Sequence, residues 1–344
     1  MSTRPTMADV AAAAGVSTMS VSYTYNQPTR VSTSTREKVH AAATALGYTG
    51  PNRAARSLRS GKSNNLGVIL TEKLTYSFDN AQARAFLSGI ADACLDTDTG
   101  LVLLPNSRVG VDLDRVRDAH VDGFVVWTTV VDDPMLEVVA STGKPVCIQG
   151  GPKYPGTQLV GIDDQKAAHA IGNIGLHNAK HPAVISFPRN RERIGEIVLG
   201  PEPEDATFPV TAARLAGYRQ AVVDAGVDWA QVPVAFVETN ARAHGAAAMK
   251  MLSPNRCGAH TLVDRDAILC SSDELAFGVL DVRRDISVTG WDDSEAAESA
   301  GLTTVSQSLY EQGRDAARWA LGTVDTIPDA TWTLKIRSST QRSS

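Results

Sequence analysis

The sequence predicts an α/β protein in two parts: a small all-α segment at the N-terminus and a large body of doubly wound parallel sheet folded as two lobes. Three observations carry this. The first sixty-odd residues show capped helical spacing with no strand-like run. From Leu66 onward, short continuous apolar runs alternate with helical patterns, as expected of parallel strands buried on both faces. The 279 residues after Asn65 exceed one comfortable α/β core, so two lobes are expected.

Within the N-terminal segment, Thr6 can N-cap a first helix whose Val10 and Ala14 share a face at i, i+4, and Gly15 supplies the permissive backbone of a tight turn. Ser17 restarts the chain as a second N-cap. The helix it opens buries Val21 and Tyr25, leaves Thr18, Met19, Ser22 and Tyr23 on outward faces and stops at Asn26. Two short helices across one tight turn make a helix-turn-helix. A third helix, capped by Ser32 or Thr33, presents Val39, Ala42, Ala43 and Leu46 to cover the first two and ends at Gly47. On pattern alone, a small Ala-rich bundle remains open. The stretch Asn52 to Gly61 is either an ordinary basic linker or a helix too short to be stable in isolation.

Charge separates the two parts. Up to Asn65 the chain carries Arg4, Arg30, Arg36, Lys38, Arg53, Arg56, Arg59 and Lys62 against Asp9 and Glu37, a formal +6; the whole chain carries −5, which leaves −11 on the rest. A basic module on an acidic body is the asymmetry expected when one part alone meets phosphate.

In the body, strands are expected at Leu66 to Leu70, Leu101 to Leu104, Phe124 to Trp127, Val146 to Ile148, Val184 to Phe187, Val234 to Val237, Ile268 to Cys270 and Ile286 to Val288. No run reaches membrane length and no signal segment precedes Thr6, so a cytoplasmic, nucleoid-associated protein with no membrane partner is expected. Cys94, Cys147, Cys257 and Cys270 are widely spaced in apolar surroundings and read as buried thiols. His177 and His181 stand at i, i+4 but Pro182 interrupts the pair, so neither a metal nor a cofactor is expected.

Asp-Val-Ala-x-x-Ala-Gly-Val-Ser at 9 to 17, Val21-Ser22, Asn26, Thr-Arg-Glu-Lys-Val at 35 to 39 and Leu-Gly-Tyr at 46 to 48 resemble the lactose-repressor/galactose-repressor family of bacterial transcription factors. The resemblance continues through Val160 to Asp164, Arg214 to Tyr218, Ser272 to Gly278, Asp285 to Asp293 and Leu302 to Gln307, which are similar to that family's effector-binding core and to periplasmic sugar-binding proteins. It implies a headpiece over 1–49, a hinge helix over 50–65 and an effector-binding and dimerisation domain over 66–344. Lobe one would span about 66–161 and 291–322, and lobe two about 162–290 and 323–344.

The resemblance also implies roles. The second helix would lie in the major groove of a pseudo-palindromic operator, with Thr18, Met19 and Tyr23 at base-reading positions and Thr6, Ser17, Ser22 and Asn26 beside them. Where many relatives carry Arg, Gln or His, this chain has Met19 and Tyr23, which cannot make the bidentate contact of Arg to guanine. The hinge would bring Arg53, Ala55, Arg56, Leu58 and Arg59 to the minor groove, with Leu58 as the wedge between base pairs. Asp163, Arg214, Ser272, Asp292 and Gln307 match positions that hydrogen-bond sugars or purines, and Tyr76, Phe78, Trp127 and Asn240 fall on loops that line such sites. Arg214 and Asp292 could instead form a structural ion pair, and Trp127 could be core.

One stretch departs from the pattern. Between Gly278 and Asp285 only Val-Leu-Asp-Val-Arg-Arg intervenes, so the helix from Asp273 should be cut short. The expected function is a dimeric repressor, not an enzyme, controlled by a small-molecule effector such as a sugar. No terminal heptad repeat suggests a tetramer. The alternatives are a regulator whose body answers to a protein partner or to no ligand and, less favoured, a sugar-binding enzyme or transport receptor.

Overall fold

The computed structural model describes residues 5–50, 62–70, 74–105, 110–253 and 263–341. Two compact units divide at Asn64.

The N-terminal unit is built on its caps. Helix α1 (Met7–Ala14) opens with a reciprocal box in which Thr6 N–H donates to Asp9 Oδ2 at 2.8 Å and Asp9 N–H to Thr6 Oγ1 at 3.4 Å, and Gly15 closes it in the left-handed region at φ 64°. Ser17 Oγ accepts from Ser20 N–H to start α2 (Thr18–Asn26), and Ser32, rather than Thr33, caps α3 (Thr33–Leu46), which Gly47 ends. Val10, Ala11, Val21, Val39 and Ala43 form the core. Two details differ from the sequence reading. Thr24, not Tyr25, is the second fully buried residue of α2; its hydroxyl is satisfied by Ser20 O at 2.8 Å, while Tyr25 packs edge-on against Tyr48 and His40 at the rim. Leu46 is exposed, and Tyr48 covers that end of the core in its place.

The body holds two sheets. A five-stranded sheet of order β2-β1-β3-β4-β5 contains β1 (Asn65–Leu70), β2 (Gly100–Pro105), β3 (Gly123–Val126), β4 (Val146–Gln149) and β5 (Gln158–Val160), all parallel. A seven-stranded sheet of order β12-β11-β10-β9-β6-β8-β7 contains β6 (Pro182–Ser186), β7 (Glu196–Leu199), β8 (Pro233–Phe236), β9 (Ala267–Cys270), β10 (Ser287–Asp292), β11 (Thr303–Gln307) and β12 (Trp332–Lys335), antiparallel only at its two edges. Helices α4 (Leu74–Asp79), α5 (Ala81–Asp96), α6 (Gly110–Arg117), α7 (Pro134–Ser141) and α13 (Leu309–Ala320) serve the first sheet. Helices α8 (Asp164–Gly175), α9 (Pro209–Asp224), α10 (Arg242–Leu252), α11 (Asp273–Val282) and α12 (Glu295–Ser299) serve the second.

The division of residues 291–322 between lobes is corrected. Strands β10 and β11 are hydrogen-bonded into the seven-stranded sheet, with Gly290 opposite Thr304, so the chain crosses to lobe one only at Ser308, where α13 begins. It leaves lobe one first near Asp163 and last after α13, on the way to β12. Lobe one is sealed by α13 on α5, where backbones meet: a methyl on Gly89 would stand 1.9 Å from Tyr310 O. Gly89→Ala should therefore destabilise the body by about 1–3 kcal/mol, the range of core overpacking, as read by urea unfolding; an unchanged midpoint would show that the helices part freely.

The short connection after Gly278 is accommodated. Helix α11 runs one further turn to Val282, and Arg283 then clamps the tight return, bonding Asp285 through both carboxylate oxygens at 2.9 and 2.6 Å and also pairing with Asp264. Strand β10 enters in parallel register, Ser287 opposite Ala267.

Candidate functional site

A cleft of about 760 Å³, including its open mouth, lies between the lobes at the C-terminal ends of the strands. That is where doubly wound sheets collect ligand, because successive strand ends present loops and helix N-termini on one side. Trp127 follows β3, Gln149 ends β4, Phe187 follows β6, Asp292 ends β10 and Gln307 ends β11; all five line the cleft, as do Arg214 of α9 and Asn240 after β8.

Of the two arginines among the described residues that line the cleft, Arg193 and Arg214, the second is the buried one. It is 5% exposed, donates through Nε to Asp164 Oδ1 at 2.8 Å and through Nη1 to Ser271 O at 2.5 Å, and lies 3.8 Å above the Trp291 ring centroid. Its pairing with Asp292, considered from the sequence, is thus replaced by one with Asp164. Burial raises the Asp164 carboxyl even though Arg214 opposes the shift.

Asp292 sits at φ 108°, a conformation that non-glycine residues rarely hold and that tends to mark functional sites. Burial, opposed by Arg214 and reinforced by Asp273, pushes its carboxyl up to about 8. The shift favours the protonated carboxyl, which can donate as well as accept. Gln307 Nε2 donates to Asp292 Oδ1 at 3.1 Å, Gln312 Nε2 to Gln307 Oε1 at 3.1 Å, and Gln149 Nε2 to Gln312 Oε1 at 3.1 Å. This row of amides joins the strand ends of both lobes behind the cleft. Trp127 stands edge-on to Phe86 at 4.8 Å, so it serves core and cleft together.

Of the nine cleft residues named from the sequence, Trp127, Arg214, Asn240, Asp292 and Gln307 are brought together. Ser272 is one step behind: its Oγ donates to Asn240 Oδ1 at 2.6 Å and caps α11, which makes it a positioning residue. Asp163 is corrected to an exposed N-cap of α8, bonding Lys166 N–H; the next residue, Asp164, faces inward because the helix period turns it there. Phe78 is exposed on α4 and absent from the lining. Tyr76 falls within α4, and its side chain lies outside the described residues. Gln149, Phe187, Arg193 and Phe208 were missed. A polar residue closing an apolar strand could have revealed Gln149; Arg193 and Phe208 lie on a segment without periodicity.

On the headpiece, Thr18 and Met19 are exposed and Tyr23 half-buried along α2, with the Arg30 guanidinium 5.5 Å from the Tyr23 ring centroid. The side chains of Thr6 and Ser17 act as caps, and Asn26 Nδ2 donates to Ser22 O at 3.0 Å. Arg53, Ala55, Arg56, Leu58 and Arg59 lie outside the described residues, as does Cys257. Cys94, Cys147 and Cys270 are buried free thiols, the first two pushed up by burial to about 11 and about 12. Among the described residues no helix is long and apolar enough to cross a membrane, and no cluster of His, Cys, Asp and Glu could hold a metal ion.

A helix-turn-helix unit followed on the same chain by a two-lobed cleft domain defines a class, the transcriptional regulators with a periplasmic-binding-protein-like body. Residues 6–52 match the family of bacterial regulatory proteins, lacI family, and residues 189–344 match the periplasmic binding protein-like domain. An HTH-type transcriptional regulator of Mycobacterium tuberculosis is 34% identical over 333 residues, covering 92% of this chain and 90% of that protein. The crystal structure of a lacI family transcriptional regulator from Corynebacterium glutamicum is similar with a TM-score of 0.72 at 27% identity, covering 98% of this chain and 100% of that one. The complex of the regulator CelR with cellobiose gives a TM-score of 0.63 at 26% identity, with the same coverage. The chain belongs to the lacI family and is a DNA-binding transcriptional regulator.

Proposed function

We propose that this regulator is a homodimeric repressor whose grip on a pseudo-palindromic operator is set by a small polyhydroxylated effector, a sugar or related metabolite, in the interlobe cleft. The observation that carries this reading is the cleft's composition. Arg214, Asp292, Asn240 and Gln307 offer fixed donors and acceptors to hydroxyls, while Trp127 and Phe187 offer aromatic faces to the apolar side of a sugar ring. The cellobiose complex of the similar CelR supports a sugar in the equivalent body. Linkage supplies the mechanism: effector affinity that differs between two arrangements of the lobes shifts the population competent to bind DNA.

On the DNA side, Thr18, Met19 and Tyr23 read base edges from α2, with Thr6, Ser17, Ser22 and Asn26 positioning the helix on the backbone. Arg53, Ala55, Arg56, Leu58 and Arg59 engage the minor groove, Leu58 as wedge. A body that answers to a protein partner was suggested by the short segment after Gly278. That segment leaves the sheet register intact, so the effector reading is preferred.

Selection from random duplexes by the purified chain tests the DNA reading: a pseudo-palindromic sequence should be enriched, and no enrichment would refute it. Affinity for the selected site should fall steeply with salt, with a log–log slope of about 0.9 per phosphate neutralised. A flat response would show that the basic residues of the headpiece do not meet the backbone. Leu58→Ala should weaken operator binding by a few kcal/mol, about the energy of unstacking one step, and leave random-duplex binding nearly unchanged; equal losses on both would reduce Leu58 to a linker residue.

A further inference from the structure

We propose that residues 188–208 of lobe two form a clasp that holds the lobes closed over the cleft before any effector arrives. This rests on reading the interlobe cleft as the effector site. The segment leaves β6, folds back as β7 on the edge of its own sheet and returns to α9, and on the way it supplies Arg193 and Phe208 to the cleft wall. Its own shape is pinned: Arg189 pairs with Glu196 at 2.9 Å, Thr207 N–H donates to Arg189 O at 2.9 Å, and Thr211 Oγ1 donates to Pro188 O at 3.2 Å. Arg193 is held at φ 52° with its guanidinium 5.4 Å from the Phe208 ring centroid.

Two contacts from this segment reach across to lobe one, and the adjoining start of α9 adds a close approach. Arg191 Nη2 stands 3.0 Å from Asp133 Oδ1, an ion pair lying off the hydrogen-bond axis. The Asp133 side chain is 3% exposed; it caps α7 through Met135 N–H at 3.0 Å and accepts from Thr129 Oγ1, so the anchor on lobe one is rigid. Val131 N–H donates to Thr207 O at 3.0 Å, a backbone bond between the lobes. Behind it, the lobe-one loop after β4 passes so close to the start of α9 that a methyl on Gly150 would stand 2.9 Å from Val210 Cγ2, and one on Gly151 3.0 Å from Pro209 Cβ. A partly buried ion pair loses more when one partner is removed than a surface pair does, because the remaining charge stays desolvated. Opening the clasp must break that pair and the Val131 bond together.

The bond from Val131 to Thr207 reports the clasp without any ligand. Hydrogen exchange of the full-length protein, resolved at the Val131 amide, should show protection in the wild type and exchange about tenfold faster or more in Arg191→Ala and Arg191→Glu, a decade corresponding to ~1.4 kcal/mol. Arg191→Lys, which keeps the charge, should retain most of the protection. The Ile185 amide in the core strand β6 should not change, showing that the fold is intact. A Val131 amide that exchanges freely in the wild type, or equally slowly in the wild type and both charge-removing variants, would overturn the clasp. Because no effector is present, failure of the effector reading would leave this outcome untouched.

Discussion

Arg214→Ala should destabilise the body by about 3–5 kcal/mol, the scale of a buried ion pair losing one partner. The expected size follows from burial: the Arg214 and Asp164 side chains are only 6% and 11% exposed, so truncation leaves the Asp164 carboxylate desolvated with its counter-charge gone. It also leaves the Ser271 carbonyl without its donor and removes the cation stacked on Trp291. At 2–4 °C per kcal/mol for domains of 150–250 residues, this predicts a drop in Tm of roughly 10 °C. The double variant Arg214→Met with Asp164→Leu should recover a large part of the loss, because no charge is then stranded. A single variant melting within ~2 °C of the wild type would mean that the pair is solvated and that Arg214 serves the ligand alone. Because of this cost, loss of effector response in Arg214→Ala does not by itself identify a ligand contact.

Asp292 gives the second large effect. Its carboxyl titrates near 3.8 in the unfolded chain and about 8 in the folded protein, so between those values the native state holds a proton that the unfolded state has released. Stability from this group is fully present below about pH 4 and is lost as pH rises towards 8, with a slope of up to ~1.4 kcal/mol per pH unit. Asp273, pushed up to about 6 by burial, contributes in the same direction at lower pH, and Asp164 shares the direction. Asp292→Asn should therefore flatten the fall in unfolding free energy measured between pH 6 and 8. A variant whose stability still falls there as steeply as the wild type would place the titration elsewhere. The asparagine leaves the strained backbone as it is, since Asn tolerates positive φ about as well as Asp, so the change reads the titration alone.

Most of the architecture was legible because buried parallel strands are written as continuous apolar runs: β1, β3, β4, β6, β8 and β9 coincide with such runs. Strands β5 and β7 escaped because they are short, partly exposed edges, Gln-Leu-Val and Glu-Ile-Val-Leu, with little apolar contrast. The end of β10 escaped because Thr289, Gly290 and Asp292 are not apolar, although all belong to the strand. The lobe assignment of residues 291–322 failed for a different reason. Sheet membership is set by pairing between distant strands, and nothing local in Thr303 to Gln307 says which sheet it will join. At the site, the family resemblance brought Arg214, Asn240, Asp292 and Gln307 to the cleft but named Asp163 where the structure turns Asp164 inward, because one residue of helical phase decides cap or core. Residues 188–208 carry no period of 2 or 3.6, so the strap they form was visible only in three dimensions.

The central claim, that occupancy of the interlobe cleft sets operator affinity, is tested most directly by measuring the Kd of the full chain for its selected operator across a panel of monosaccharides, disaccharides and polyols. One chemical class should shift that Kd by about 5–150-fold, the usual range of allosteric coupling, and the same compounds should bind the protein in calorimetric titration. A panel member that binds the cleft and leaves the operator Kd unchanged, or a Kd indifferent to every member, would contradict the account.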